Sequence, residues 1–176
     1  MKTIKNEKQA SEFLGIEENE VLYFCEYSKG YWSYMDVNKH FHLFGSENNQ
    51  WIELTKDIEA TFAYSLDNGD WFYIDNDQYR HLFRLENNEW IELTKKVNAT
   101  DTWSYLHGDW KYKDEKGFEH LFRSINGDWV ELTENIKTTH VDSLSNGLWG
   151  YINNNGKWEY FNGNGDRTPY INPEHK

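Results

Sequence analysis

The chain has 176 residues, the length of one ordinary domain, and 18% of them are aromatic although only 38% are hydrophobic. Its formal charge of −12 argues against nucleic acids and anionic membranes as partners, because both attract cationic surfaces. Cys25 is a single cysteine, so no disulfide forms within the chain, and no signal-peptide pattern or 18-residue apolar run occurs, so we expect a cytoplasmic protein.

The first predicted element is a short amphipathic helix within residues 5–16. This stretch has apolar side chains at near-helical spacing, and Gly15 stands where helices commonly end. We assign residues 1–20 to an N-terminal helical cap on the rest of the chain. The apolar residues concerned are Ala10, Phe13, Leu14 and Ile16.

From residue 21 onwards, one pattern recurs every 39 residues without insertion or deletion. A repeat of this period indicates an array of one supersecondary unit that buries its apolar face against its neighbours. We therefore expect residues 21–176 to form a single β domain of four units. The recurring tryptophans are Trp32, Trp71, Trp110 and Trp149, and the units are about 22–60, 61–99, 100–138 and 139–176.

Each unit reads as four short strands separated by turns rich in Asn, Asp and Gly. In the second unit the predicted strands are 61–65, 71–75, 79–84 and 89–94. Four units of four strands predict an all-β fold with a short N-terminal helix, arranged as a small four-bladed propeller. A solenoid of β-hairpins is the alternative.

Side-chain alternation predicts that both faces of each sheet are apolar or aromatic. If the turn after Glu86 is tight, His81 and Trp90 share one face, and Leu82 lies on the other. Continuing across the loop at residues 75–77, we place Trp71 and its neighbours on the Leu82 face. A sheet that is apolar on both faces must be covered on both, as in an array of stacked sheets.

One polar set recurs in the first three units and disappears from the fourth, and its members are the candidate ligand-binding residues. A tryptophan flanked by histidine and glutamate can stack on a sugar ring and hydrogen-bond its hydroxyls, and three copies would bind with avidity. Alternatively, a histidine–glutamate hydrogen bond satisfies polar groups within each unit, and we favour this structural interpretation. The set consists of His42, Trp51, Glu53, His81, Trp90, Glu92, His120, Trp129 and Glu131.

The fourth unit carries short family resemblances. Its string Trp149-Gly150-Tyr151-Ile152, with Asn155-Gly156-Lys157 after it, resembles the tryptophan-glycine repeats of bacterial proteins. The segment 156–163, GKWEYFNG, resembles the aromatic repeats of choline-binding cell-wall modules, and the four-unit pattern is similar to hemopexin-like propellers. These resemblances imply a binding or interaction role.

No motif of an enzyme is apparent. The sequence has no Ser-His-Asp order, phosphate-binding loop or Cys/His ligand spacing, so we expect neither catalysis nor a cofactor. Three histidines around a propeller axis could bind zinc, but their position on the third strand argues against a metal site.

Two functional hypotheses follow. The first is a lectin-like binder of carbohydrate or another small ligand, which requires exposed aromatic rings. The second is an acidic intracellular module, such as an inhibitor, immunity or adaptor protein, that binds a basic protein partner. The number of exposed tryptophan and tyrosine side chains separates them.

Overall fold

The structure is a computed structural model that describes residues 3–163 of the chain. Within that range the protein is all-β apart from helix α1, Glu7–Leu14, and two short 3₁₀ turns, Glu18–Glu20 and Ser28–Gly30. The chain divides into two compact units, Met1–Lys95 and Lys96–Lys176, each of which contains two of the sequence repeats. The predicted boundaries of one continuous repeat domain stay a prediction.

The first compact unit contains two four-stranded antiparallel sheets, and each follows chain order. Consecutive strands pair with their neighbours, which is the strand order of a propeller blade. The first sheet consists of β1 Tyr23–Glu26, β2 Trp32–Met35, β3 Phe41–Glu47 and β4 Gln50–Glu53. The second consists of β5 Phe62–Ser65, β6 Trp71–Ile74, β7 Arg80–Glu86 and β8 Glu89–Glu92.

The second compact unit repeats this plan, with four strands in the third sheet and three in the described part of the fourth. The rest of the fourth repeat lies outside the described residues. The all-β class and the repeated blade-like sheets are thereby confirmed. The third sheet consists of β9 Asp101–Ser104, β10 Trp110–Lys113, β11 Glu119–Ile125 and β12 Asp128–Glu131, and the fourth of β13 Val141–Ser143, β14 Trp149–Ile152 and β15 Trp158–Phe161.

In each of the first three repeats, the turn between the third and fourth strands is as tight as predicted. Asn87 and Asn88 both have positive φ, 51° and 65°, and Glu86 pairs directly with Glu89. Two central residues with positive φ match the twist of antiparallel strands, and asparagine tolerates this conformation. His81 and Trp90 therefore share a face, as the sequence indicated.

The predicted position of Trp71 is wrong, because the loop before β7 has five residues, 75–79. Trp71 pairs with Phe83, and Tyr73 pairs with His81, so both lie on the histidine face and not on the Leu82 face. An odd number of loop residues shifts the alternation by one relative to a two-residue turn. Both faces nevertheless remain apolar or aromatic.

Within each compact unit, the leucine face of one sheet packs on the tryptophan face of the next. Leu43 of the first sheet contacts Ala63 and Trp71 of the second, and all three are buried. In the second compact unit, Leu121 packs with Trp149 in the same way. The four repeated tryptophans Trp32, Trp71, Trp110 and Trp149 are 0–4% exposed, so their predicted burial is confirmed.

A threonine that recurs after the fourth strand of the first three repeats holds the leucine strand in place. The hydroxyl oxygen of Thr94 accepts the N–H of Leu82 at 2.9 Å, and Thr55 and Thr133 do the same for Leu43 and Leu121. These contacts explain why threonine recurs there, because a buried N–H without an acceptor would be costly.

Helix α1 covers the tryptophan face of the first sheet. Asn6 caps its first turn by accepting the N–H of Gln9 at 3.0 Å, and Gly15 ends it in the left-handed conformation, with φ 71°. The ring of Phe13 meets Trp32 edge-on at 6.0 Å, and Ala10 is buried in the same cluster. The predicted helix is confirmed, and it occupies the face that a preceding sheet covers in the second and fourth repeats.

Candidate functional site

Each of the first three repeats holds a histidine between two carboxylates. In the second repeat, Nδ1 of His81 lies 2.7 Å from Oε1 of Glu92, and Nε2 lies 3.0 Å from Oδ2 of Asp75. The Nδ1-to-glutamate distance is 2.6 Å in the first repeat and 2.8 Å in the third, and the Nε2-to-aspartate distance is 3.5 Å in both. We call these groups the Asp–His–Glu clusters; they are Asp36–His42–Glu53, Asp75–His81–Glu92 and Asp114–His120–Glu131.

The aspartate of each cluster also shapes the loop that carries it. Oδ1 of Asp75 accepts the N–H of Tyr79 at 2.9 Å, while Oδ2 faces the histidine. Asp36 and Asp114 accept the N–H groups of His40 and Phe118 in the same way. One carboxylate thus fixes both the five-residue loop and the imidazole.

A parallel tyrosine ring positions each histidine. The rings of His81 and Tyr73 lie 4.4 Å apart with an interplanar angle of 9°, and Tyr34 and Tyr112 stack on the other two histidines at 4.6 Å. The histidine side chains are 24–26% exposed. Stacking and hydrogen bonds therefore fix the imidazole while part of it faces solvent.

The carboxylates change the acid–base properties of the histidines. The hydrogen bond that His81 donates to Glu92 raises the pKa of the histidine, partial burial opposes this effect, and Asp75 adds to the increase. Burial alone would raise the pKa of Asp75, but the hydrogen bonds from His81 and from the N–H of Tyr79 outweigh it and lower the pKa below its usual value. Both shifts favour an ion pair within the cluster.

The tryptophan of the candidate set packs elsewhere. Trp90 contacts the buried Trp71 edge-on, with ring centroids 5.9 Å apart and an interplanar angle of 78°. Trp51 and Trp129 contact Trp32 and Trp110 in the same geometry. The structure therefore brings together the histidine and glutamate of each predicted His-Trp-Glu set. The tryptophan of each set packs against a buried tryptophan instead.

This geometry favours the structural interpretation of the clusters. The polar atoms of His81 bond to Glu92 and Asp75, and the histidine ring is stacked on Tyr73. A ligand hydroxyl would have to compete with charge-assisted hydrogen bonds within the cluster. Direct ligand contact by the nine candidate residues stays a prediction.

An open groove of about 330 Å³ borders the third cluster. Its lining combines His120 and Glu131 with Lys116, Phe118 and Lys137. The volume is at the low end of the range for small-ligand sites, and the mixture of one ring with several polar groups is typical of them.

The fourth repeat replaces the cluster with a different hydrogen-bonded set. Glu159 stands at the histidine position, and its carboxylate accepts the hydroxyl of Tyr151 at 3.0 Å and the side-chain amide of Asn153 at 2.6 Å. These two hydrogen bonds lower the pKa of Glu159. The position thus keeps a hydrogen-bonded contact with the loop but has no imidazole.

Two exposed aromatic rings lie side by side on the fourth sheet, on the face opposite to Trp149 and Glu159. Trp158 and Tyr160 are each 38% exposed, and their rings are nearly parallel, with centroids 5.6 Å apart and an interplanar angle of 10°. Gly150 lies opposite Tyr160 in the sheet, and a Cβ there would come within 2.7 Å of the tyrosine ring. Glycine thereby allows the ring to lie flat on the sheet.

Sequence reasoning missed this ring pair as a site, although both residues belong to the segment that resembles choline-binding repeats. Their alternation along β15 was the available signal, because residues two apart in a strand share a face. Among the nine tryptophans, all of which lie in the described part of the chain, only Trp158 is exposed. The high aromatic content therefore mainly builds the interior.

The structure also joins three residue types that are typical of hydrolases. Nε2 of His107 lies 2.9 Å from Oγ of Ser143, which is hydrogen-bonded to Asp109. The aspartate contacts the serine and Arg123, and lies 3.6 Å from the histidine Nε2 atom that faces the serine. Ser143 is buried, so this network joins the third and fourth sheets and has no nucleophile open to substrate.

Residues 3–163 contain no group of three or more His, Cys, Asp or Glu side chains placed to hold a metal ion. In the same range, no helix has both the length and the apolar character required to cross a membrane.

The chain has matches among solved structures but none among family models or curated proteins. Among solved structures, the chain is similar to the N224Q mutant of the Aleuria aurantia lectin in complex with Fucα1-6GlcNAc, with 13% sequence identity and a TM-score of 0.33. The match covers 88% of this chain but only 64% of the lectin chain.

Proposed function

We propose that the protein is a non-enzymatic carbohydrate-binding protein and that the ring pair of Trp158 and Tyr160 is its ligand contact. The observation that carries this proposal is the flat, exposed platform formed by the two parallel rings. Sugar rings present C–H groups on one face, and these pack against aromatic faces while the hydroxyl groups remain hydrated or hydrogen-bonded.

A polar side chain borders the platform. His140 is exposed and meets the ring of Trp158 edge-on, with centroids 5.6 Å apart and an interplanar angle of 71°. A neutral imidazole both donates and accepts hydrogen bonds, so it suits a hydroxyl of a stacked sugar. Apolar and polar contacts thus lie together, as recognition of an amphipathic ring requires.

The structural cost of keeping these rings exposed also supports the proposal. Two large aromatic side chains on an open sheet face lose the burial that stabilises the other aromatic residues of the array. Isolated exposed rings are common, but a parallel pair laid flat over a glycine is a more specific arrangement.

A glycan array, followed by titration of the best glycan with isothermal titration calorimetry as readout, tests the proposal. Trp158→Ala and Tyr160→Ala should each weaken binding by at least about tenfold, the loss of one stacking contact worth about 1.4 kcal/mol. Because both positions are exposed, we expect the melting temperature to change by no more than about 2 °C.

Tyr23→Ala is the matched control, because Tyr23 is 48% exposed and lies in the first sheet. It should leave glycan binding unchanged. The absence of any bound glycan, or binding that survives both fourth-repeat substitutions, would show that the ring pair is not a sugar site.

A further inference from the structure

A narrow slot opens between the first and second sheets, within the first compact unit. It has a volume of about 60 Å³ and is lined by Tyr31, Ile52, Leu54, Leu85 and Trp90, with Glu47 at the same opening. Ile52 and Leu85 are 40% and 51% exposed, so the apolar lining reaches the surface.

The slot exists because the first repeat lacks an arginine that the next two repeats have. Gly45 stands 39 positions before Arg84, which bonds to the buried Asp70 at 2.6 Å in the second repeat. In the first repeat the position of Asp70 is taken by Tyr31. A Cβ at Gly45 would come within 3.1 Å of the Tyr31 ring, so the ring lies against the glycine, and both residues line the slot.

The size of the slot limits what can enter. One water molecule requires about 10–15 Å³ of cavity, so the slot holds roughly four to six heavy atoms. That is the size of one extended side chain, and it is too small for a sugar ring with its substituents. The apolar walls suit an aliphatic stem, and the rings of Tyr31 and Trp90 also suit a cation.

The charges around the slot favour a cationic head group. Glu47 lines it, and Glu86 and Glu89 belong to the turn that joins the lining residues Leu85 and Trp90. The whole chain has a formal charge of −12, which would accelerate the capture of a basic protein.

We propose that this slot binds a lysine side chain of a basic partner protein. The aliphatic stem lies between Tyr31, Leu54 and Trp90, and the ammonium group pairs with the carboxylate of Glu47. The site is independent of the ring pair in the fourth repeat, and so either assignment can fail without the other.

Three short peptides test this proposal with the ¹⁵N-labelled full chain, and they differ only in the type of residue that alternates with glycine. Each alternates glycine with lysine, with norleucine, which keeps a stem but has no charge, or with 2,4-diaminobutyric acid, which keeps the charge on a shorter stem. The lysine peptide should bind at least about tenfold more tightly than the other two and should shift the indole N–H resonance of Trp90.

The double variant Gly45→Arg with Tyr31→Asp is the decisive change, because it installs the pair found in the next two repeats and fills the slot. It should weaken lysine-peptide binding at least about tenfold. Glu47→Gln changes an exposed residue and is the second variant, which remains informative if the first does not fold. It should weaken binding several-fold and flatten its dependence on salt.

Equal affinity for the diaminobutyric peptide would reduce the effect to general surface charge and overturn the proposal. Equal affinity for the norleucine peptide would show that the ammonium group does not contribute to binding, and this too would overturn the proposal. Binding that is undetectable, or that is unchanged in both variants, would show that the slot is only a packing defect.

Discussion

The junction between the first two sheets and the junction between the last two use one backbone plan with opposite interior chemistry. In the first junction the variable positions are filled by aromatic, small or neutral side chains, and in the last by ion pairs. Tyr31, Ser33, Phe41 and Gly45 of the first repeat become Asp109, Lys111, Glu119 and Arg123 of the third.

The charges in the last junction are almost completely buried, and each has several partners. Nζ of Lys111 lies 2.8 Å from Glu119 and donates to the carbonyl oxygen of Val141 at the same distance. Arg123 donates to Asp109 at 2.7 Å and to the carbonyl oxygens of Gly147 and Gly163. Such geometry is required if buried charges are not to destabilise the fold.

The parts that do not vary explain how one backbone accepts both interiors. The threonine hydroxyls that accept leucine N–H groups, and the buried tryptophans, occur in both junctions. These contacts position the strands, so the remaining positions only need to be mutually compatible. This repeat therefore specifies a backbone and leaves the chemistry between sheets free to change.

The largest expected effect tests the buried tryptophans that both junctions share. Trp71→Ala and Trp149→Ala should each lower the free energy of unfolding by about 3–5 kcal/mol, because a large cavity replaces a ring at the centre of each junction. Urea denaturation monitored by circular dichroism measures this loss. A small effect in one junction alone would show that the tryptophans are not equivalent, and the exposed Trp158→Ala is the control.

The second prediction tests the buried ion pairs, which occur in the last junction and, among the described residues, not in the first. Asp109→Asn should cost about 3 kcal/mol, since it removes the negative charge that faces the buried Arg123. The remaining hydrogen bonds of the arginine to carbonyl oxygens keep the cost near the low end of the usual range. An unchanged melting temperature would show that the ion pair of Asp109 and Arg123 does not stabilise the junction.

A smaller and equal effect is expected from the shared threonines. Thr55→Val and Thr133→Val should each cost about 1–3 kcal/mol, because the N–H of a buried leucine loses its acceptor. Calorimetric unfolding of the two variants should give losses that agree within error. A clear difference would show that the junctions depend on their strand contacts to different extents.

The smallest expected effect concerns the Asp–His–Glu clusters. His81→Ala should cost about 1 kcal/mol, since partly exposed ion pairs contribute little. The clusters also make stability depend on pH. The histidine pKa values are raised on folding, so their contribution is fully present below the usual histidine pKa and is lost as pH rises through the raised values.

Thermal unfolding between about pH 6 and pH 9 measures this dependence, because histidines titrate in this region. His81→Asn should remove about one third of the decrease in stability with rising pH, since it removes one cluster of three. An identical pH profile in the variant would mean that the clusters do not hold protonated histidine. A loss of glycan binding in the same variant would instead favour their role in ligand contact.

Local sequence signals were enough to predict the elements that local chemistry controls. Gly15 indicated the end of α1, and the left-handed preference of Asn87 and Asn88 indicated the tight turn before β8. The position of Trp71 was wrong because the count of loop residues depends on hydrogen bonds of the Asp75 side chain, which composition does not show. Turn chemistry therefore set the limit of the strand prediction.

The candidate site was only partly predictable for the same reason. The pairing of His81 with Glu92 follows from alternation across a two-residue turn. Asp75 was overlooked because it looked like an ordinary turn residue, although its recurrence six positions before each histidine was a usable signal. The contact of His107 with Ser143 joins residues 36 apart and occurs between repeats, so periodicity within one repeat gave no sign of it.

Helix α1 has a consequence for how the molecule avoids uncontrolled assembly. It covers the aromatic surface of the first sheet, which is the same kind of surface that the second sheet presents to the leucine face of its neighbour. Without residues 3–16, that aromatic surface would be open to water, and a large exposed apolar face promotes association between molecules. Eight residues of helix therefore provide the cover that a whole sheet provides in the second repeat.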